Sequence, residues 1–275
     1  MIIVGTAMGQ APGGWKEFSL APAGKLEKPL ERTVEWTYAA TGSKAVYAAC
    51  CPWLDVEGSF QRINNDAWSM HVIGVSLKSI LSRLENVPQV RIVAPDWMTR
   101  ERYELTAVAS DECRLQLRRR EESAPNVRAE VGRLVRAELV ERLQLRMHRE
   151  RREAPVWVVK SMPGTTPKLG NGIPIAVAGD RGGVGLRVWA KDGAFSTSNA
   201  NDFILVAWLQ NVVKAPVIAE GLPSGNYKFE LRWRAGDTRS LATMMWEQLG
   251  LALVEEKREV EFLVVDYALK PEWSR

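Results

Sequence analysis

The chain has 275 residues, enough for one large domain or two ordinary ones, and 46% of them are hydrophobic, so a sizeable core can be buried. Lys plus Arg number 37 against 33 Asp plus Glu, and the charges are interspersed along the chain, which argues against a nucleic-acid footprint. No run of about 18 apolar residues occurs, so no helical membrane span is expected.

The first eleven residues, Met1–Ala11, are apolar with small side chains, and Gly9 and Ala11 suit the positions before a signal-peptidase cut. With no basic n-region, residues 1–11 read as a truncated signal peptide, or equally as a hydrophobic first strand. Residues 12–57 fit no repeat; Val34–Tyr38 and Ala45–Cys51 read as added strands. The three cysteines form no CxxC pair. Cys50 and Cys51 sit in an apolar run and read as buried thiols, with a bond from Cys113 to either one open in an oxidising compartment.

Ser76 is placed to cap a helix whose Leu77, Ile80, Leu81 and Leu84 fall on one face. An extended Val90–Val93 follows, then the turn-like Ala94–Trp97 and a strand from Tyr103 to Val108. Ser110–Asn126 reads as irregular, Val127–Leu143 as a helix burying Val131, Leu134, Val135 and Leu139, and Leu145–Arg149 with Val156–Lys160 as a hairpin.

The order then recurs. Asn201 or Asp202 opens a helix with Leu205, Val206 and Leu209, Val217-Ile218 is extended, Tyr227–Trp233 alternates as a strand and Ser240–Leu249 is a helix. Leu251–Val254 with Val260–Tyr267 reads as a second hairpin. Leu143–Val159 aligns without a gap on Leu249–Val265, so that Glu153 meets Glu259, and Gly58–Phe60 reads as the counterpart of Gly193–Phe195. The expectation is an α+β fold of two repeated units, each a mixed sheet with two helices. The first spans 12–160 with extra N-terminal strands, the second 186–275, and the Gly- and Pro-rich 161–185 is a linker or long loop.

Little in the chain points to catalysis. The only histidines are His71 and His148, in different elements, and the position equivalent to His148 in the second unit is Val254. The glycine-rich Gly179–Gly185 leads into a strand rather than a helix, so it is not a phosphate cradle. No nucleophile elbow, zincin helix or EF-hand loop is present. No catalytic residue, metal or cofactor is therefore expected. Asp96 and Asp266 are the carboxylates to inspect. Of eleven tryptophans, Trp157, Trp208, Trp233 and Trp246 fall on apolar faces and read as core. The loop and terminal residues Trp15, Trp97 and Trp273, with Asp96, are the candidate binding residues.

The run Ile92-Val-Ala-Pro95-Asp96-Trp97 with Tyr103-Glu-Leu, then Arg142–Glu150 and Pro155–Val159, resembles a large family of exported proteins of unknown function from soil bacteria, abundant in acidobacteria. Ala215-Pro216-Val, Gly225-Asn-Tyr227, Leu231-Arg-Trp233, Glu247–Leu251, Val264-Val-Asp266 and Lys270-Pro271 extend the resemblance over roughly residues 75 to 271. Related domains look fused to membrane peptidases of the beta-lactam-sensing antirepressor type, and each half is similar to the short N-terminal domain of secretins and TonB-dependent receptors. The chain departs from the family at Ala219-Glu220-Gly221, where an Asp-Lys-Thr-Gly turn is usual.

The resemblance implies an exported, non-enzymatic interaction or sensing module of the envelope, periplasmic or at the cell surface, with a protein partner and an unknown small-molecule ligand, if any. The competing expectation is a hydrolase or carbohydrate-binding protein with a site between the two units.

Overall fold

The computed structural model describes residues 15–22, 69–113, 115, 124–162, 164–171, 188–191, 193–223, 225 and 227–271. The fold is α+β, as the periodicities require. Strand β1 (Trp15–Pro22) lies beside the first lobe, which continues with β2 (Ser69–Val75), α1 (Leu77–Glu85), a 3-10 turn at Gln89–Arg91 leading into β3 (Ile92–Val93), α2 (Asp96–Arg100), β4 (Tyr103–Ala109) and α3 (Ala124–Arg142). A long strand, β5 (Arg146–Ser161), leaves it. The second lobe has β6 (Gly170–Asn171), β7 (Val188–Lys191), β8 (Ala194–Ala200), α4 (Asp202–Val213), β9 (Val217–Glu220), β10 (Tyr227–Arg232) and α5 (Thr238–Met244), and a π turn at Met245–Leu249 leads into β11 (Leu251–Tyr267).

Three sheets result: β1-β4-β2 in the first lobe, β6-β10-β8-β7 in the second, and β3-β11-β5-β9 between them. The two lobe sheets share a register. In the first, Val75 pairs with Tyr103 and Val72 with Leu105, with a bulge between. In the second, Ala200 pairs with Tyr227 and Thr197 with Phe229, again with a bulge between. Each partner lies 125 positions later for β8 and 124 later for β10. A slip by one residue would turn every buried side chain outward, so the shared register places the same positions inside. The ladder makes Met70 the partner position of Phe195; Gly58–Phe60 lies outside the described residues, as do Val34–Tyr38 and Ala45–Cys51.

Helix starts follow the same spacing. Ser76 Oγ accepts from the Ser79 amide at 3.1 Å and Asn201 Oδ1 from the Ile204 amide at 3.0 Å, each satisfying a free N–H of its helix. Between β7 and β8, Gly193 turns with φ of 80°, and a Cβ there would lie 2.7 Å from the Trp233 carbonyl oxygen, so a side chain is excluded.

The expected hairpins are absent. Arg146–Arg149, just after Leu145, and Val156–Lys160 belong to the single strand β5, and Leu251–Val254 and Val260–Tyr267 to the single strand β11. The polar middles, Arg149–Glu153 and Glu255–Glu259, contain no Gly, Pro or Asn to turn the chain, and each continues in the antiparallel ladder, Arg149–Glu153 opposite Glu259–Leu263 and Glu255–Glu259 opposite Glu153–Trp157. Glu153 stands directly opposite Glu259 in that ladder. These two are the residues that the gapless alignment equates, so a local two-fold axis passes between them. The outer strands obey it: Ile92 pairs in parallel with Leu263, and Val217 with Trp157.

This exchange redraws the expected boundaries. The first core, with Leu77, Leu81, Met98, Tyr103, Leu105 and Leu139, takes Leu263 and Val265 from β11. The second core, with Phe195, Trp208, Phe229 and Leu231, takes Val159 from β5. Segments 12–160 and 186–275 therefore do not each hold a complete core. Within the expected linker 161–185, Gly170–Asn171 is an edge strand on β10.

Candidate functional site

Among the described residues, both lobes contribute strands to the central sheet. Side chains alternate across it. Odd-numbered residues near the ends of β5 and β11 enter the two cores, such as Leu145 and Leu263 in one and Val159 and Leu251 in the other. Between the cores the same face carries charge: Arg149 reaches Glu261 at 2.7 Å and Glu85 of α1 at 3.7 Å, and Arg151 lies 3.5 Å from Glu259. Glu85, with only 9% of its side chain exposed, also receives Arg136 of α3, so one carboxylate ties two helices to the strand.

The even-numbered residues form the opposite face. An apolar band of Val156, Val158, Val260 and Phe262 crosses it, flanked by Ala154, Ile218, Val254 and Val264; all eight belong to strands of this sheet. Charged side chains fill the two remaining corners. In one, Lys160 meets Glu256 at 2.8 Å, Glu256 meets Arg258 at 2.7 Å and Arg258 meets Glu220 at 3.1 Å. The Lys160 ammonium bond, foremost, holds the Glu256 carboxyl below its ordinary range.

In the other corner, His148 Nδ1 is 2.8 Å from Asp266 Oδ2, and its Nε2 is 3.7 Å from Glu150 Oε2. Glu150 also pairs with Arg152 at 3.2 Å, whose guanidinium lies 4.1 Å above the Phe262 ring. The hydrogen bond to Asp266, foremost, raises the His148 pKa above its ordinary value. Arg152 and Arg258 keep their charges solvated, with 47% and 43% of their side chains exposed.

The sheet edges are short. β3 offers two residues and β9 four. On β9 the Val217 amide is met by Gln210 Oε1 and its carbonyl by Arg91 Nη2, both at 3.5 Å. Burial lowers the Arg91 pKa, with Glu261 opposing. Such guarded edges disfavour addition of another chain's strand.

The residues singled out from the sequence are dispersed. Asp96 opens α2, and its carboxylate accepts from Arg100 at 2.7 Å, with both side chains at least three-quarters exposed. Trp97 is half-buried against the first core. Trp15 begins β1 opposite Ala109, and Trp273 lies outside the described residues. Cys113 is buried, whereas Cys50 and Cys51 lie outside the described residues.

Trp208 is in the core, and Trp157 and Trp233 pack against it. Trp246, expected there too, is 45% exposed. The π turn at Met245–Leu249 sends Met245 and Leu249 inward and leaves Trp246 on the outside. What sequence spacing missed is the meeting of His148 with Asp266, 118 residues apart. Among the described residues no group of three or more His, Cys, Asp and Glu is arranged to hold a metal, and no helix is long and apolar enough to cross a membrane.

The class defined by these features is an α+β protein of two lobes locked by exchanged strands. The family model described as "Protein of unknown function (DUF3738)" matches residues 81–268, and the chain belongs to that family. Its matched span runs from α1 to the end of β11 and so takes in both lobes. Comparison with curated proteins and with solved structures found no match.

Proposed function

We propose that the chain is a non-enzymatic, exported interaction or sensing module of the bacterial cell envelope, and that a protein partner docks on the central sheet through its two ion-paired corners. The observation that carries this reading is the pair of ion-paired corners, around His148–Asp266 and Lys160–Glu256, that flank the buried band of Val156, Val158, Val260 and Phe262. Guarded edges disfavour recognition by strand addition. The likeness to exported soil-bacterial proteins and to envelope docking domains supports the location. The duplicated element order, with one register in both lobes, supports a scaffold made by repeating one unit.

A site-specific photo-crosslinker tests the docking face in the full-length protein. Placed at Val93, Val254 or Val264, beside the band, it is expected to yield one discrete adduct in envelope fractions, and none from Lys228 or Glu104 on the lobe sheets. No adduct at any band position, together with turnover of a glycan or ester substrate, would replace this reading with the hydrolase or carbohydrate-binding one. Accumulation in the cytoplasmic fraction alone would remove the envelope assignment.

A further inference from the structure

The end of β11 is tied down by a group that changes charge near neutrality. Pairing between β11 and β5 slips between Val265 and Tyr267, and Asp266 is the residue left out of the ladder. Bulges of this kind re-aim a side chain. Here the carboxylate is turned onto His148, with Oδ2 2.8 Å from Nδ1, while Nε2 of the same ring lies 3.7 Å from Glu150 Oε2.

A neutral imidazole has one N–H donor and one acceptor nitrogen, so it cannot donate to carboxylates on both sides; the imidazolium can. Among the described residues, the remaining neighbours do not compete for the ring. On β5, Arg152 is committed to Glu150 and Arg146 lies over the Tyr267 ring at 5.7 Å. Across from His148 on β11 stands Val264, and beyond it on β3 stands Val93, both uncharged.

The bulge leads directly into a docked tail. Ala268 packs against the first core, the Leu269 amide donates to the Leu143 carbonyl at 2.7 Å, and Lys270 Nζ meets Glu101 at 2.5 Å. We propose that His148 is a pH-sensitive tether: as imidazolium it clamps the Asp266 bulge to β5 and so holds residues 268–271 on the first lobe, and its deprotonation loosens that tail. The inference is independent of the docking function above.

Linkage fixes the sign. The Asp266 contact raises the folded-state pKa of His148, so the extra docking is fully present below the ordinary histidine value and is lost as pH rises through the raised one. Docking strengthens about tenfold for each unit by which it raises that pKa.

The test uses full-length protein carrying His71→Gln, which leaves His148 as the only imidazole. Amide exchange at Leu269, corrected for its intrinsic pH dependence and referenced to Leu263, is followed alongside the His148 ring titration by NMR. Leu269 protection is expected to fall through the His148 midpoint, by a factor matching the pKa difference between docked and loosened tail. His148→Gln and Asp266→Asn should each remove the step, Glu150→Gln should shrink it, and Lys270→Ala should lower protection without moving the midpoint. A step that persists in His148→Gln, or protection at Leu269 that does not respond to pH while the ring titrates, would overturn the tether.

Discussion

Counted from their capping residues Ser76 and Asn201, Arg83 of α1 and Trp208 of α4 hold the same helix position, and the two cores differ around it. The first is filled by Leu77, Leu81, Met98, Leu105 and Leu139 with Tyr103. In the second, Trp208 stacks on Phe195 at 4.1 Å, Phe229 lies 5.5 Å from Phe195, and Trp233 meets Trp208 edge-on at 5.5 Å. Arg83 cannot occupy such a cluster and is only partly buried. The lesson is that register and caps define the lobe, while interior volume is filled by whatever side chains suit it. The central sheet repeats this at its surface: His148 and Asp266 occupy one corner, Val254 and Lys160 the matching one.

The comparison breaks most completely if the lobes are separated. Residues 186–275 alone lose β5, and with it Val159 from their core and the strand on which β9 pairs. That fragment is expected to show no cooperative urea transition, and adding residues 146–161 as a peptide should restore one. A sharp transition in the isolated fragment would mean that the strand exchange is not needed for either core.

The next effect separates the two cores. Trp208→Ala should cost about 3–5 kcal/mol through lost burial and the cavity it leaves, whereas Arg83→Ala should cost under about 1 kcal/mol. Because the lobes exchange strands, the tryptophan variant should lower a single transition seen by both near-UV and far-UV circular dichroism. Two resolved transitions would show that the lobes unfold independently. Removing the caps is smaller: Ser76→Ala and Asn201→Ala should each cost about 1 kcal/mol. Ser76 should cost more because it is 1% exposed, so water has little access to the Ser79 amide left behind.

What could be read in the sequence was local. Ser76 and Asn201 announce helices because a short polar side chain before an apolar-periodic run has one common use. β4 and β10 announce themselves by alternation, buried at Tyr103, Leu105 and Ala107 and at Tyr227, Phe229 and Leu231. The crossing strands did not, because a run such as Arg149–Glu153 between two apolar segments has the polarity of a turn. Its lack of Gly, Pro and Asn was the available signal that the strand continues. The exposed Trp246 follows from a π turn that an ideal helical period does not contain. The His148–Asp266 contact was out of reach, since it requires the ladder between β5 and β11 and a bulge in one of them.

The smallest effect lies where the second lobe's final strand is fastened to the first. Glu101 accepts from Lys270 and, at 2.8 Å, from the Tyr103 hydroxyl. The Lys270 bond, foremost, holds the Glu101 pKa below its ordinary value, while burial, foremost, and the same carboxylate push the Tyr103 hydroxyl up. A carboxylate with a depressed folded-state pKa contributes stability that is present above its unfolded value and is lost as pH falls through the folded one. Glu101→Gln should therefore flatten the acid limb of the stability profile, measured by urea midpoints at stepped pH, and leave the profile near neutrality parallel to that of the wild type. With 36% of the Glu101 side chain exposed, solvent screening keeps the loss at neutral pH to under about 1 kcal/mol. The matching position in the second lobe, Gly225, has no side chain to fasten anything, so an acid limb that survives in Glu101→Gln points to a carboxylate of the central sheet such as Glu256, whose bond from Lys160 also holds its pKa down.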